Sequence, residues 1–168
     1  AGKTLSSEAI VRLFAARGAA ANAVVAAADE LRRSVRGDVV TYVINRNINY
    51  TNICSYSCSF CAFSKTSSKS GARDRPYDLD LEEIASRTSE AWAKGATEVC
   101  LQGGIHPRYT GQTYVDILRA VKRAQPDMHV HAFSPLEVSQ GAATLGVSVS
   151  DFLRRLRDDG LGSLPGTA

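Results

Sequence analysis

At 168 residues, 44% hydrophobic and 22% charged, the chain has the make-up of one ordinary folded domain and not of a disordered segment. Its net charge of +3 is too mild to argue for nucleic acid, and the local excess (Lys65, Lys69, Arg73, Arg75) reads as a solvated, Ser-rich loop. No apolar run reaches the ~18 residues of a membrane span and no charged-then-apolar leader opens the chain, so no membrane partner is expected.

In chain order, Ser6 or Ser7 caps a first helix with Glu8 against its N-terminal dipole. Ile10, Val11, Leu13 and Phe14 give that helix an apolar side, and Gly18 is expected to end it. A second helix, from about Asn22 to Arg36, carries Val24, Val25, Ala28, Leu31 and Val35 on one stripe and stops at Gly37. Residues 1–37 therefore read as an N-terminal helical cap on the rest of the chain. Residues 39–44 are β-branched and aromatic, the composition of a strand. Asn45-Arg46 breaks it, and residues 47–51 form a second extended piece that leads into Cys54. After Cys61 the polar stretch from Ser64 to Asp78 is expected to be a mobile loop, ordered by ligand.

Asp80 and Glu83 have capping-box spacing ahead of a helix whose stripe is Leu81, Ile84, Thr88, Ala91 and Trp92, closed by Gly95. Residues 99–101 form a continuous apolar run, as expected of a parallel strand covered on both faces. The strand opens onto Gln102-Gly103-Gly104-Ile105-His106-Pro107. Tyr114, Val115, Ile117, Leu118 and Val121 mark the next helix, and residues 128–133 the next strand. Ser134-Pro135-Leu136-Glu137 is a capping box with proline at the first helical position, opening a helix to about Leu145. Ser148 and Asp151 start another, through Phe152, Leu153 and Leu156 to Gly160, and residues 162–164 begin one more strand. Strands alternating with helices at this spacing mean βαβ units in a parallel sheet, an α/β fold with ligands at the carboxyl ends of the strands.

Three of the four cysteines, Cys54, Cys58 and Cys61, fall within eight positions at C-x3-C-x2-C spacing. Three soft thiolates on one tight loop suit iron–sulfur or zinc chemistry. Clustered free thiols point to a reducing compartment, hence the cytoplasm. Three cysteines leave one iron of a 4Fe–4S cube open. A Cys3His zinc site completed by His106, in a non-catalytic binding module, is the rival. Gln102 and His106 are pocket candidates by their position after a strand. His129, His131 and Phe133 share a strand face by the period of two, and His131, nearer the carboxyl end, is the pocket candidate against a core role. Cys100, mid-strand, reads as a small core residue.

The Cys54-x3-Cys58-x-Phe60-Cys61 pattern resembles the cluster signature of the radical S-adenosylmethionine (SAM) enzymes. Four further segments are similar to a subgroup that contains FO synthase and the futalosine enzymes of menaquinone biosynthesis: residues 47–52, Cys61-Ala62-Phe63-Ser64, residues 102–107, and His131-Ala132-Phe133-Ser134-Pro135. The ending Gly160-Leu161-Gly162-Ser163-Leu164-Pro165-Gly166-Thr167-Ala168 is more similar to the tyrosine-using half of FO synthase. The resemblance implies that Cys54, Cys58 and Cys61 ligate a 4Fe–4S cluster, with SAM on the open iron, and that a one-electron donor starts the chemistry through a 5′-deoxyadenosyl radical. It implies tyrosine as the source of a 4-hydroxybenzyl-type radical that joins 5-amino-6-(D-ribitylamino)uracil, on the route to 8-hydroxy-5-deazaflavin. A futalosine-type cyclase is the alternative within the family. Phe60 would lie near the adenine, and Gly103 and Gly104 would approach the methionine portion of SAM. Many relatives follow that glycine pair with an acid, and here Ile105 follows.

The implied fold is a TIM-like (βα) radical SAM barrel. Only about three βα units and the start of a fourth strand are recognisable, in residues 38–168, where such a barrel needs about six or more. The chain therefore reads as a fragment, partnered by a second radical SAM module, fused or separate. Alone it is expected to lack pocket walls for activity and to expose the edge of its last full strand to aggregation.

Overall fold

The computed structural model describes residues 4–166 apart from 57, 60, 62 and 65–74. Phe60, Lys65, Lys69 and Arg73 thus lie outside the described residues. The chain divides into two units, Ala1–Tyr42 and Val43–Ala168.

The first unit is two helices. In α1 (Ser7–Ala15) the Ser6 side chain accepts the Ala9 N–H at 3.2 Å, filling one of the donors a helix start leaves open. Gly18, at φ 55°, stands immediately before α2 (Ala19–Arg36), so it opens the second helix and does not close the first. The second helix starts earlier than Asn22 because Ala19, Ala20 and Ala21 are strong helix formers. Gly37 closes it with its N–H on the Arg33 carbonyl at 2.9 Å. Neither helix has a buried residue. Among the described residues no single helix is long and apolar enough to cross a membrane, and α1 and α2 meet that composition only jointly, across a 120° bend.

The second unit is built on β1 (Asn45–Asn49), β2 (Glu98–Gln102) and β3 (His129–Ala132), all parallel in the order β1-β2-β3. The connections carry α3 (Leu81–Ala93) and α4 (Gly111–Ala124), and α5 (Pro135–Leu145) and α6 (Val149–Asp158) follow β3. Residues 39–44, expected as a strand, are not one. Val40 is 87% and Tyr42 83% exposed, and pairing starts where Asn45 meets Glu98. A parallel strand forms where a neighbour supplies its hydrogen bonds, and here register overrides β propensity.

The sheet has two unlike faces. Ile48, Val99, Leu101, Val130 and Ala132 are buried in one core with Ile84 and Ala91 of α3, Tyr114, Ile117, Leu118 and Val121 of α4, and Phe152 and Leu156 of α6. The opposite face carries Asn45, Asn47 and Asn49, then Glu98, Cys100 and Gln102, then His129 and His131, in register across the strands and none of them buried. The run 99–101 is therefore not covered on both sides as its composition suggested, because Cys100 faces away from the helices. The α3 stripe is also narrower than expected. Ile84, Thr88 and Ala91 are buried, whereas Leu81 and Trp92, at the helix ends, are 38% and 37% exposed. The outer edge of β3 is not bare, since Ala132 donates to the Ser163 carbonyl and Gly162 to the Val130 carbonyl, each at 2.9 Å.

Helices α4 and α5 approach at Gly111, where an added Cβ would lie 2.6 Å from the Gly141 carbonyl oxygen and 2.5 Å from Leu145 Cδ1. Gly111→Ala is therefore expected to lose about 1–3 kcal/mol through overpacking against backbone, despite alanine's better helix propensity. A fall in the urea midpoint at constant slope reads this out, and an unchanged or raised midpoint would refute so close a crossing.

Candidate functional site

The cysteine loop grows out of the end of β1. The chain continues beside the residues that come after β2: Tyr50 donates to the Gln102 carbonyl at 3.3 Å, Gly104 to the Thr51 carbonyl at 2.9 Å, and Ser55 to the Ile105 carbonyl at 2.8 Å. The Ser55 hydroxyl adds a second bond to that carbonyl at 2.8 Å. This ladder ends on sulfur, because the Ile105 N–H donates to Cys54 Sγ at 3.3 Å. Only glycine fits at position 104, since a Cβ there would lie 2.3 Å from the Ile53 carbonyl oxygen and 2.9 Å from Cys54 Cβ.

The other side of the loop is closed by residues 75–79, the end of the stretch expected to be mobile. The Asn52 side chain accepts the Tyr77 N–H at 2.8 Å and donates to the Arg75 carbonyl at 3.1 Å. Thr51 bridges antiparallel to Asp78, and Leu79 donates to the Tyr50 carbonyl at 2.8 Å. These bonds fix the last residues of the stretch from Ser64 to Asp78, whose Ser- and Lys-rich part, residues 65–74, lies outside the described residues. Cys54 is half-buried, Cys58 and Cys61 are exposed, and all three are free thiols, with the Cys61 N–H turned onto the Cys58 carbonyl at 3.1 Å. Among the described residues no three His, Cys, Asp or Glu side chains stand together as metal ligands.

Behind the ladder sits Glu137, 1% exposed. Its Oε1 accepts the Tyr50 hydroxyl and the Gly103 N–H (3.1 Å), and its Oε2 accepts the Ser134 N–H at 2.7 Å. One carboxylate therefore joins the carboxyl ends of all three strands. Burial pushes its pKa up, opposed by the bonds from Ser134, Tyr50 and Gly103. The same burial, with Glu137 next in effect, raises Tyr50 far above its ordinary value. Gly103 owes its identity to this packing too, because a Cβ would lie 2.3 Å from Tyr50 Cε2.

Around Tyr50 stand Tyr109 (6.1 Å, stacked) and Phe133 (6.3 Å, edge-on), with Tyr114 5.0 Å from Phe133. Phe133 has φ 64° and is fully buried among these rings. It thus leaves the face of His129 and His131 that the period of two assigned to it, because the left-handed backbone turns it toward the core. Among the described residues the Tyr114 hydroxyl is buried without a partner. Burial first, then Glu137 and Cys54, raise its pKa, so it lies in their neighbourhood.

The pocket candidates separate. Gln102 and His131 lie on the polar sheet face. His106 does not open onto it: the ring is buried, stacked on Tyr109 at 4.7 Å, with Nδ1 accepting the Arg108 N–H at 3.1 Å and Nε2 3.8 Å from Asp78. With Nδ1 bonded inside its own turn and the buried Nε2 facing Asp78, His106 is poorly set to complete a Cys3His site. Cys100 lies on the polar sheet face and not in the core its mid-strand position suggested, and its thiol is pushed up by burial and then by Glu98 and Glu137. Sequence reasoning noticed Glu137 only as a helix cap and missed Tyr114 and Ser163. Its one usable signal was an acid after the third strand with a tyrosine after the first.

Comparison with known proteins fits this geometry. The sequence profile of the Radical SAM superfamily matches residues 48–161. The chain is similar to FO synthase of Streptomyces coelicolor, 48% identical over 164 residues, 98% of this chain and 18% of that one. It is 53% identical over 156 residues to FO synthase of Mycobacterium leprae, 93% of this chain and 18% of that one. It is also 49% identical over 144 residues to the 5-amino-6-(D-ribitylamino)uracil–L-tyrosine 4-hydroxyphenyl transferase of Methanocaldococcus jannaschii, 84% of this chain and 39% of that one. The chain thus spans well under half the length of these relatives. Among solved structures, methylornithine synthase superposes with a TM-score of 0.62 at 18% identity, over 98% of this chain and 56% of that one. An FeFe-hydrogenase maturase from Carboxydothermus hydrogenoformans gives 0.61 at 15% identity, over 92% and 42%. At those identities the likeness is one of fold.

Glu137→Ala would strip the acceptor from two buried amides and a buried hydroxyl, a loss of about 3 kcal/mol or more in urea unfolding. The pH dependence has a definite sign. The Glu137 pKa lies above its ordinary 4.5, so between the two values the folded state holds a proton that the unfolded chain has lost. This group's contribution is greatest below the ordinary value and falls as pH rises through the window. Glu137→Gln abolishes that titration, so the stability of wild type minus variant should shrink as pH rises above the ordinary 4.5. A flat or growing difference would show the carboxyl is not raised.

Proposed function

Because the chain belongs to the radical S-adenosylmethionine superfamily, we propose that it is the cluster-bearing part of an FO synthase-type transferase. The reaction couples a 4-hydroxybenzyl fragment of tyrosine to 5-amino-6-(D-ribitylamino)uracil. Its three parallel strands and their helices are part of that family's α/β fold. The observation that carries the reading is the seating of Cys54. The first cysteine of a three-thiol motif lies against the end of the second strand, with a backbone N–H on its sulfur, in a chain about half identical to proteins named for this chemistry.

The residues present fit a 4Fe–4S cluster and SAM. Three soft sulfurs leave a fourth coordination position to a non-protein ligand, and His106 is engaged elsewhere. Cys54, Cys58 and Cys61 would hold the cluster, the exposed pair closing onto the anchored one. When bound, the cluster and SAM supply the carbon radical that takes a hydrogen atom from tyrosine. The chain's own part is positioning. The Ile105 N–H stabilises charge on Cys54. The amides of Gly103 and Gly104 are already donated to Glu137 and to the Thr51 carbonyl, which leaves their carbonyl oxygens to receive the amino group of SAM. Gln102 and His131, on the polar sheet face, would contact substrate. The one-electron donor, and a second radical SAM module, fused or separate, belong to the same reading.

Anaerobic reconstitution with iron and sulfide is expected to give a brown protein whose reduced EPR signal changes on adding SAM. Cys54→Ser, Cys58→Ser and Cys61→Ser should each lose most of the iron, and Cys100→Ala should keep it. Gly104→Ala should lower iron loading by displacing Ile53 and Cys54. Stoichiometric zinc without the signal, or full iron in the Cys54 variant, would sink the cluster assignment. The full-length protein, given tyrosine and the ribityl-diaminouracil, should release 5′-deoxyadenosine and the coupled product. Turnover of a futalosine-derived substrate instead would replace this reading with a cyclase.

A further inference from the structure

Two imidazole rings meet a single hydroxyl on the polar face of the sheet. His129 Nε2 lies 2.9 Å and His131 Nδ1 2.7 Å from Ser163 Oγ. A serine hydroxyl has one hydrogen, so at most one ring nitrogen accepts from it and the other must donate. Two accepting nitrogens would set a lone pair against the oxygen, and two donating ones would leave the Ser163 hydroxyl hydrogen without a partner among the described residues, so alternation uses every group of the trio. The network itself breaks the tie. Glu98 Oε2 stands 3.8 Å from His129 Nε2, and the other Glu98 oxygen accepts from Asn45 Nδ2 at 3.2 Å. A carboxylate beside His129 Nε2 favours a hydrogen on that nitrogen.

The polarity then runs one way: His129 Nε2–H donates to Ser163 Oγ, and the Ser163 hydroxyl donates to His131 Nδ1. That leaves the hydrogen of neutral His131 on Nε2. His131 is half-buried, in register with Cys100 and Asn47, one layer below Gln102 and Asn49 on the face that no helix of this unit covers. Its Nε2 has no partner among the described residues.

We propose that Ser163, polarised by His129 and Glu98, is a positioning residue that locks His131 in the Nε2–H tautomer. His131 thereby presents one N–H donor to a carbonyl or carboxylate oxygen of the substrate. The tautomer is independent of which reaction the site performs; the oxygen-bearing substrate rests on the function proposed above. The lock comes from the residues after α6, where residues 162–164, expected to begin one more strand, make a single parallel bridge at Ser163 to His131 of β3.

The test is two-bond 15N–1H correlation on histidine-labelled full-length protein, without substrate. Wild-type His131 should show the Nε2–H pattern, Ser163→Ala should give a mixture, and Ser163→Thr should restore the single form. A wild-type Nδ1–H pattern, or a Ser163→Ala spectrum like wild type, would overturn the proposal. In turnover, His131→Leu should raise the KM of one substrate about tenfold with kcat less affected, and His131→Gln, which keeps an N–H near that position, should stay within about threefold. Unchanged KM in His131→Leu at wild-type iron content would overturn the substrate contact. If the protein turns over neither tyrosine nor the uracil, the reaction reading fails while the tautomer spectra still decide the lock.

Discussion

The carboxylate of Glu137 is the constraint on which the site depends. A buried ionised group left alone is costly enough to unfold a domain of this size. Glu137 is accommodated in the interior because a hydroxyl and two amides are aimed at it, and those bonds oppose the rise in pKa that burial imposes. Each donor comes from the carboxyl end of a different strand. Satisfying one acid therefore brings the three strand ends to fixed positions, and the residues beyond them inherit that order. Gly103 is held by Glu137, Gly104 by Thr51, and Ile105 by Ser55 and Cys54 in turn. The sulfur is three residues from the carboxylate along a chain of backbone bonds, which is how a core interaction reaches an exposed loop.

The second organising fact is the division of labour between the sheet's faces. Ile48, Val99, Leu101, Val130 and Ala132 turn toward the helices and supply burial. Their neighbours in sequence turn the other way and are three asparagines, a glutamate, a thiol, a glutamine and two histidines. In a closed barrel such a face becomes the interior. Polar residues there are ordered by one another, as Glu98, His129, Ser163 and His131 show. Stability and chemistry are thus carried by alternate residues of the same short strands, so a one-residue slip in register would exchange them.

Much of the architecture was legible because it rests on local rules. The caps at Ser6, Asp80, Ser134 and Ser148 are short-range geometry, and helix stripes arise from a fixed period. The errors fall where a distant partner decides. Residues 39–44 have a strand's composition, yet among the described residues Ile44 alone of them is paired, its carbonyl accepting the Thr97 N–H at 2.9 Å, while the polar Asn45–Asn49 pairs along its length with β2. Residues 75–79 look loose until Thr51 and Asn52 bind them. Phe133 breaks the period of two because its backbone turns left-handed. His106 comes after a strand, as a pocket residue would, yet its ring is buried, with Nδ1 bonded in its own turn and Nε2 facing Asp78.

By itself the amino-acid sequence determined the parallel βα order and the three-thiol motif, because both are written in residues adjacent or evenly spaced along the chain. Family membership rests on the same kind of pattern. Only the tertiary structure decided which thiol is anchored, why positions 103 and 104 admit no side chain, and that a helix-capping glutamate is also the buried tie between three strands. It alone set two histidines against the hydroxyl of Ser163, 34 and 32 residues away in the chain. Those relations join residues tens of positions apart, and no local period or propensity encodes a distance across a sheet.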